Sequence, residues 1–264
     1  MDLGLDGRVV VVTGASKGIG RATAQLMARE GAHLVLNARG ADALEVVADE
    51  IRGDGAPVIT VVADLADESG ADLVASAALA EFGRVDVLVN NVGGGGDPKR
   101  LLKLTNADWQ AGFESNFFSA VRMSSACLPA MLERGWGRII HLSSTYGVEP
   151  GPLFGPYSAS KAALLSYSKN LSRAYAAQGV LSNCVLPGVT ITEKIAERTS
   201  TAAEAQDSSP AEVMAKMMER DPVAIGRFGE PHEVAAAIAF LCSDAASWIT
   251  GAALAVDGGT LRSI

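Results

Sequence analysis

The sequence has few of the residues that form disulfide frameworks and metal sites. Its 264 residues include three cysteines and three histidines. No two cysteines form a C-x-x-C pair, and none lies at metal-ligand spacing from a histidine, so the sequence predicts no metal site. Cys184 and Cys242 lie in apolar runs, where we expect buried thiols and therefore a reducing compartment. The histidines are far apart in the sequence and are predicted to be structural: His33, His141 and His232.

Long apolar runs are also missing. The longest apolar run, near Ala235–Cys242, is far shorter than the roughly 20 residues that cross a bilayer. The N-terminal segment Met1–Gly7 carries aspartates and no basic cluster, which is not the pattern of a signal peptide. The sequence therefore predicts a cytoplasmic protein that does not enter the membrane.

The sequence has no excess of positive charge. With 22 Lys plus Arg against 30 Asp plus Glu, its formal net charge is −8. Proteins that bind nucleic acid generally present a basic face, so this balance disfavours a nucleic-acid partner. It still allows a local basic site for a phosphorylated cofactor.

The chain does have enough apolar sequence for one large core. It is 48% hydrophobic and 20% charged, which excludes a disordered or collagen-like protein. No Pro-, Ser- or Gly-rich tract divides the sequence into two halves, so we expect a single domain over residues 1–264.

Short apolar segments alternate with longer amphipathic segments along the chain. The predicted strands are Arg8–Thr13, His33–Ala38, Val58–Ala63, Val85–Asn90, Arg138–Ser143, Leu181–Leu186 and Ala252–Val256. The predicted helices are Gly20–Glu30, Ala41–Arg52, Ser69–Phe82, Asn106–Arg134, Tyr157–Ala177 and Pro231–Ser243. The strands lack strict polar alternation, as expected when both faces are covered. This order predicts an α/β fold with a doubly wound, parallel, seven-stranded sheet, which binds ligands beyond the carboxyl ends of its strands.

One long segment, at about residues 190–227, interrupts this alternation. Residues 193–227 hold no predicted strand and are polar at first. Pro210 then begins a helical stretch that carries Met214, Met217 and Met218. The segment is either a surface excursion or a lid over a ligand site. We favour the lid because the segment directly follows a strand end.

A glycine-rich turn joins the first predicted strand to the first helix. It runs TGASKGIG from Thr13 to Gly20. Glycines let the backbone turn tightly beside a pyrophosphate, and the following helix N-terminus offers free N–H groups and a positive dipole end. The G-x3-G-x-G spacing differs from the more common G-x-G-x-x-G fingerprint, and an ordinary tight loop is the alternative. Its position after the first strand favours a phosphate loop for a dinucleotide.

The end of the second predicted strand bears on the choice of cofactor. A dinucleotide fold that prefers NAD places a carboxylate there, whereas this strand ends in Asn37, Ala38 and then Arg39. Arg39 and Lys17 are two cations where the carboxylate is missing, and a guanidinium can bind a 2′-phosphate through two hydrogen bonds. The alternative is two solvated surface charges. The sequence predicts NADP(H) rather than NAD.

A tyrosine and a lysine lie four residues apart at the start of a predicted helix. Tyr157 and Lys161 therefore share one helix face. Because a nearby ammonium favours the phenolate, we expect Lys161 to lower the pKa of Tyr157 from its usual value near 10. Tyr157 would then act as the general acid in ketone reduction or the general base in alcohol oxidation. Ser144, at the end of the fifth predicted strand, would hold the carbonyl oxygen.

The glycine turn, the strand-end serine and the Tyr–Lys pair resemble the short-chain dehydrogenase/reductase (SDR) family over nearly the whole chain. The resemblance extends to the NADP-preferring 3-oxoacyl-[acyl-carrier-protein] reductases of that family. It implies a Rossmann fold and an enzyme that interconverts a ketone and a secondary alcohol. It also implies that Asn116 holds a water that connects the active-site lysine to bulk solvent. The implied catalytic residues are Asn116, Ser144, Tyr157 and Lys161.

The resemblance also implies a set of cofactor contacts. The segment Asn90–Gly93 matches the N-N-A-G motif of the family, with Val92 in place of Ala. In relatives, residues at the positions of Val189, Thr190 and Thr192 hold the nicotinamide carboxamide. The implied cofactor-binding residues are Gly14, Ser16, Lys17, Gly18, Ile19, Gly20, Arg39, Asp64, Leu65, Asn91, Gly93, Tyr157, Lys161, Pro187, Gly188, Val189, Thr190 and Thr192.

Substrate and assembly are open at this point. The resemblance implies a homotetramer or dimer that pairs through the final strand and helix and through two long helices. The substrate is predicted to be a small carbonyl or alcohol, and a carbonyl or 3-oxoacyl thioester is favoured. The alternative within the family is a ring ketone such as a steroid. An acidic carrier protein would need a basic patch, for which the candidates are Lys99, Arg100, Lys103 and Arg134. A dinucleotide-binding regulator without chemistry is the alternative from another class.

Overall fold

Seven parallel strands form one sheet at the centre of the molecule. The computed structural model describes residues 3–263. The strand order across the sheet is β3-β2-β1-β4-β5-β6-β7. The strands are β1 Val9–Thr13, β2 His33–Ala38, β3 Val58–Val62, β4 Val87–Asn90, β5 Gly137–Leu142, β6 Val180–Pro187 and β7 Ala253–Val256. This confirms the predicted doubly wound α/β fold.

Helices cover both faces of the sheet. One face carries α1, α2 and α9, and the other carries α3, α5 and α6. The helices are α1 Gly18–Arg29, α2 Ala41–Gly53, α3 Gly70–Phe82, α4 Asn106–Phe113, α5 Ser119–Arg134, α6 Gly155–Tyr175, α7 Glu193–Ala205, α8 Pro210–Arg220 and α9 Pro231–Cys242. Among residues 3–263, no helix combines the length and the apolar character that a membrane crossing needs.

The interior strand β1 shows why its sequence is apolar throughout. Val10 and Val12 point into the core on one face of the sheet, while Val9 and Val11 point into the core on the other. All four side chains are buried. Since each such burial stabilises the fold by about 1.5–3 kcal/mol, an uninterrupted apolar strand is favoured at this position.

The strand order reverses between β1 and β4. Strands β2 and β3 lie to one side of β1, and β4 to β7 lie to the other. The connections after β1 and β4 therefore leave in opposite directions, which opens a groove at the carboxyl ends of the strands. The glycine turn follows β1 and the segment Asn90–Gly93 spans the end of β4, so both predicted cofactor segments lie at this groove.

The helix predicted over Asn106–Arg134 is interrupted. The structure has α4, a π-helical turn at Glu114–Phe118, and α5. Asn116 lies in the π-helical turn. Such turns are rare and often occur at functional sites, because the extra residue changes which side chains face a given direction. The prediction of one regular helix was therefore wrong in the segment that carries Asn116.

Residues 193–227 contain one helix, α7, that the sequence did not predict. α7 has small buried residues, Thr199 and Ala203, and its surface is strongly polar, so it lacks the large apolar stripe that marks a helix. α8 begins at Pro210 as predicted, after Ser209, which forms a capping box with Glu212. Both helices follow β6, whose carboxyl end adjoins the groove.

Candidate active site

The glycine turn after β1 has no room for side chains at its centre. A Cβ on Gly20 would lie 2.3 Å from the Gly14 carbonyl oxygen and 2.5 Å from Asn91 Nδ2. Gly14 has φ of +64° and Gly18 has φ of +57°, a region that disfavours residues with a Cβ. The absence of side chains at these positions lets a ligand come close to the backbone of the turn at the N-terminus of α1, as a phosphate-binding loop requires.

Asn91 connects the glycine turn to the end of β4. Its backbone N–H donates to Thr13 Oγ1 at 3.0 Å, and its Nδ2 donates to the carbonyl oxygens of Thr13 at 2.9 Å and Gly14 at 3.0 Å. The amide group of Asn91, predicted as a cofactor contact, thus fixes the shape of the turn. The sequence motif predicted Asn91 as a site residue. Its role in shaping the glycine turn is visible only in the fold.

Cationic side chains gather at one end of the groove. The Arg39 side chain is 80% exposed, and its Nη1 lies 3.7 Å from Asp64 Oδ2. Burial lowers the pKa of Lys194, and the nearby charges of Arg198, Lys17 and Arg39 lower it further. Lys17 and Arg39 were predicted, whereas Lys194 and Arg198 on α7 were not. The available signal was their i, i+4 spacing directly after the strand-end segment.

The other predicted cofactor residues in the glycine turn and after β3 differ in how exposed their side chains are. Ser16 and Ile19 are partly exposed in the glycine turn. Asp64 Oδ1 accepts a hydrogen bond from the Ala66 N–H at 3.0 Å, which shapes the turn after β3. The Leu65 side chain is buried in the apolar core, so it faces away from the groove and has only backbone atoms to offer a ligand.

The predicted residues after β6 form a connected turn. Pro187 ends the strand, the Gly188 N–H donates to the Val256 carbonyl oxygen at 3.1 Å, and Thr190 is buried. The Val189 carbonyl oxygen accepts from the Gly229 N–H at 3.0 Å.

Thr192 ends this turn as the N-cap of α7. Its Oγ1 accepts a hydrogen bond from the Ile195 N–H at 3.4 Å. The hydroxyl predicted to contact a carboxamide therefore also fixes the start of the next helix, and its own proton is still free to be donated.

The four predicted catalytic residues come from three elements that meet at the end of β5. Ser144 follows β5 and hydrogen-bonds the Tyr157 phenol. Tyr157 and Lys161 lie in the first two turns of α6, and the π-helical turn carries Asn116. Lys161 Nζ lies 5.7 Å from the centre of the Tyr157 ring and donates to the Leu142 carbonyl oxygen at 2.5 Å.

The acidity of Tyr157 differs from the sequence-based expectation. Burial raises the pKa of Tyr157, the hydrogen bond from Ser144 partly offsets this, and Tyr146 raises it further. Burial also lowers the pKa of Lys161 to about 8. The expected lowering by the ammonium was wrong because Lys161 is directed at the Leu142 carbonyl and desolvation dominates. At neutral pH, Tyr157 is therefore a protonated donor.

Asn116 is fixed against the backbone that follows β4. Its Oδ1 accepts from the Gly94 N–H at 2.8 Å, and its Nδ2 donates to the Gly112 carbonyl oxygen at 2.9 Å. A Cβ on Gly93, which has φ of +152°, would lie 2.4 Å from Asn116 Oδ1 and 3.1 Å from Lys161 Nζ. The glycine thus allows the amide and the ammonium to approach each other.

A cavity of about 550 Å³ adjoins these residues. Thr145 and Tyr146, which follow Ser144, line one side, and Phe154 lies on another. The Tyr146 ring centre is 6.4 Å from that of Tyr157 and 5.6 Å from that of Phe154. Residues 220–224 and 259–262 complete the wall. No sequence signal marked the C-terminal segment, because its position depends on hydrogen bonds to Glu149 across the fold.

The proposed basic patch does not form one surface. Lys99 lies near the cavity, where its N–H donates to the Leu153 carbonyl oxygen, and its Nζ donates to Asp108 at 2.8 Å. Arg100 and Lys103 are exposed nearby. Arg134 ends α5 just before β5 begins, so it lies at the amino-terminal ends of the strands, whereas the groove lies at their carboxyl ends. Grouping it with the other three was therefore wrong.

The predicted structural histidine in β5 is buried close to the site. Burial, and then the charge of Lys161, lower the pKa of His141 to about 3, so it is neutral. Its Nδ1 lies 3.2 Å from Asn90 Nδ2.

Within residues 3–263, no three His, Cys, Asp or Glu side chains gather in a way that would hold a metal ion.

The chain is similar to known proteins over most or all of its length. A family model described as short chain dehydrogenase matches residues 8–203. The chain is 40% identical over 254 residues to cis-4-hydroxycyclohexanecarboxylate dehydrogenase from Sinomonas cyclohexanicum, covering 96% of each. It is 35% identical over 257 residues to the 3-oxoacyl-[acyl-carrier-protein] reductase of Escherichia coli (strain K12), covering 97% of this chain and 98% of that protein. The crystal structure of L-sorbose reductase from Gluconobacter frateurii, complexed with NADPH and L-sorbose, superposes with a TM-score of 0.96 at 34% identity and covers 100% of both chains.

Proposed function

The chain belongs to the short chain dehydrogenase family, and from this premise we propose that it is an NADP(H)-dependent oxidoreductase that interconverts a ketone and a secondary alcohol. The observation that carries the proposal is the hydrogen bond between Ser144 and the buried phenol of Tyr157, next to a cavity of about 550 Å³. A hydroxyl pair of this kind can bind one carbonyl oxygen and give it a proton.

The groove fits a phosphorylated dinucleotide. The turn has no space for a Cβ at Gly20, so its backbone can approach a diphosphate closely. Arg39 and Lys17 supply the positive charge that a 2′-phosphate needs, and the Arg39 side chain is exposed just beyond the carboxyl end of β2. The bound nicotinamide would supply or accept the hydride.

The chain's own residues would position the carbonyl and move the proton. Ser144 and Tyr157 hold the carbonyl oxygen, and Tyr157 donates its proton during reduction because its pKa is raised. Lys161, with a pKa of about 8, can return a proton towards the phenol near neutral pH. Asn116 fixes the backbone beside Lys161, where the family resemblance implies a water that leads to solvent.

Replacing the phenol oxygen tests this role directly. We expect Tyr157→Phe to lower kcat for ketone reduction by about 100-fold or more, because the proton donor is lost. Titration calorimetry should show NADPH binding with little change, and Tyr175→Phe, at the far end of α6, serves as the matched control. Near-normal turnover of Tyr157→Phe would overturn the proposed mechanism.

The cavity favours a compact, largely apolar ketone. Its wall combines Tyr146 and Phe154 with proline and aliphatic side chains, and four charged residues also line it: Glu149, Arg220, Asp221 and Arg262. Two relatives of similar identity are named for a ring alcohol and for a 3-oxoacyl thioester, respectively. The separation of Arg134 from the other basic residues gives less support to carrier-protein docking, so a ring ketone is our first choice.

Rates on two substrate types would separate these candidates. Turnover of an acetoacetyl thioester should be compared with that of a panel of cyclic ketones, each with NADPH and with NADH. Faster reduction of the thioester would favour the 3-oxoacyl reductase. Absence of turnover with any carbonyl, together with tight NADPH binding, would favour a non-catalytic regulator.

We also propose that residues 190–227 form a lid over the site. α7 lies across the groove, since Glu193 contacts Gly18 on one side and Arg198 contacts Asp97 on the other. α8 ends at Arg220, which lines the cavity, and its Met214, Met217 and Met218 are half-buried. Methionines adapt to apolar ligands of varied shape, which suits a movable cover.

We propose a homotetramer, or a dimer, as the assembly. β7 is an edge strand with exposed side chains, and Trp248 beside it is 98% exposed. Such an edge is stabilised when a second copy covers it. Light scattering would measure the number of subunits in the assembly.

A cytoplasmic location stays a prediction, supported by three cysteines that are all unpaired and buried.

A further inference from the structure

A carboxylate from α7 contacts the N-terminus of α1. The N–H of Gly18, the first residue of α1, donates to Glu193 Oε2 at 2.8 Å, although the two residues are 175 positions apart in the sequence. Lys17, the N-cap of α1, provides no side-chain cap. Glu193 therefore satisfies one of the N–H groups that a helix N-terminus leaves without an intrahelical partner.

The starts of α1 and α7 meet at this contact. α7 begins at Glu193, and a Cβ on Gly18 would lie 2.9 Å from Thr192 Cγ2. Each helix N-terminus carries a partial positive charge, so the two together favour an anion between them. Glu193 brings its carboxylate to that point.

Further positive charge surrounds the contact. The charges of Lys17, Arg39 and Arg198 all act on Lys194, which directly follows Glu193. The other acidic groups here, Asp64 and Asp97, pair with Arg39 and Arg198 at the two ends of the region. The Glu193 carboxylate thus bonds to the N-terminus of α1 beside a group of cationic side chains.

We propose that Glu193 is an internal competitor for the diphosphate of the cofactor. This inference rests on the proposed function, because it requires a dinucleotide whose diphosphate binds at the N-terminus of α1. The carboxylate and the diphosphate need the same N–H group, so binding requires Glu193 to leave it. Glu193 consequently weakens cofactor binding, and its return favours release of the cofactor after turnover.

The same contact links cofactor binding to movement of α7. At its other side, α7 is held by Arg198, whose guanidinium donates to the Gly96 carbonyl oxygen and to Asp97. Displacement of Glu193 releases the helix at the glycine turn while this second attachment can persist. α7 would then pivot about the Arg198 side.

Calorimetric titration of the full-length protein with three nucleotides tests the proposal without any turnover. Glu193→Gln removes the charge and keeps the shape, and Glu197→Gln removes the same charge one turn later on α7, where the side chain is exposed. NADPH and ADP contain a diphosphate, whereas adenosine 2′-monophosphate does not. We expect Glu193→Gln to lower the Kd for NADPH and for ADP by about three- to tenfold and to leave that for adenosine 2′-monophosphate unchanged.

Each other outcome has a distinct meaning. Equal tightening in Glu197→Gln, or equal tightening for adenosine 2′-monophosphate, indicates a general charge effect and overturns the competition. An unchanged or raised Kd for NADPH in Glu193→Gln overturns it as well, provided that thermal unfolding matches that of the unmodified protein. If the unmodified protein binds no NADPH, the proposed function fails first, and this inference fails with it.

Discussion

The two walls of the groove hold their functional side chains in different ways. On the wall formed by the end of β5, the start of α6 and the π-helical turn, Asn116 and Lys161 are 1% and 3% exposed and bond to backbone carbonyl or N–H groups. On the wall formed by α7, Arg198 and Asp97 pair at the surface, and the Asp97 side chain is fully exposed. Buried contacts position groups tightly, whereas exposed ion pairs contribute little to stability. The comparison separates a wall of buried, fixed side chains, to which we assign the chemistry, from a wall held by surface contacts, which we propose to be the lid.

The largest effect is expected from crowding the fixed wall. Gly93→Ala would place a methyl group 2.4 Å from Asn116 Oδ1 and 3.1 Å from Lys161 Nζ. We expect kcat/KM to fall by about 100-fold, since small displacements of catalytic groups are costly. Gly95→Ala is the matched control in the same glycine run, because its Cβ would meet Phe154 at an ordinary 3.4 Å. Similar rates for the two variants would mean that the fixed wall tolerates displacement.

A smaller effect is expected from pH, acting on the same wall. Because the pKa of Lys161 is about 8, the ammonium is lost as the pH rises through that value. Ketone reduction should be constant below it and fall by about tenfold per pH unit above it. In Lys161→Arg the guanidinium stays charged, so its remaining activity should not fall between pH 8 and 10. A flat profile of kcat/KM to pH 10 in the unmodified enzyme would contradict the role of Lys161.

The smallest effect is expected at the exposed cationic end of the groove. Arg39→Ala should raise the KM for NADPH by about tenfold and leave that for NADH nearly unchanged, because only the 2′-phosphate contact is lost. The free energy of unfolding should change by less than about 1 kcal/mol, since Arg39 is 80% exposed and its partner Asp64 is 3.7 Å away. Arg29→Ala, at the far end of α1, is the control. Equal changes for both cofactors would remove Arg39 from 2′-phosphate recognition.

The features that the sequence predicted are those with local patterns. The glycine turn, Ser144 and the Tyr157–Lys161 pair each occupy a strand end or a helix start, where a few adjacent residues determine the conformation. The order of apolar runs likewise predicted the parallel sheet, because each run forms one buried strand.

The features that the sequence did not predict depend on distant parts of the chain. The raised pKa of Tyr157 comes from burial, which no local pattern specifies. The contact between Glu193 and Gly18 joins residues 175 positions apart. The Asn116 turn is fixed by hydrogen bonds to Gly94 across the groove, and α7 was missed because its buried residues are small.

The π-helical turn makes this protein sensitive to a change of chain length at one point. Each residue of a regular helix advances the side-chain direction by about 100°. Deleting a single residue within Glu114–Phe118 would let α4 and α5 join as one continuous helix, and the amide that now bonds to Gly94 would rotate out of reach. A deletion of one codon there is therefore expected to separate the Asn116 amide from Gly94.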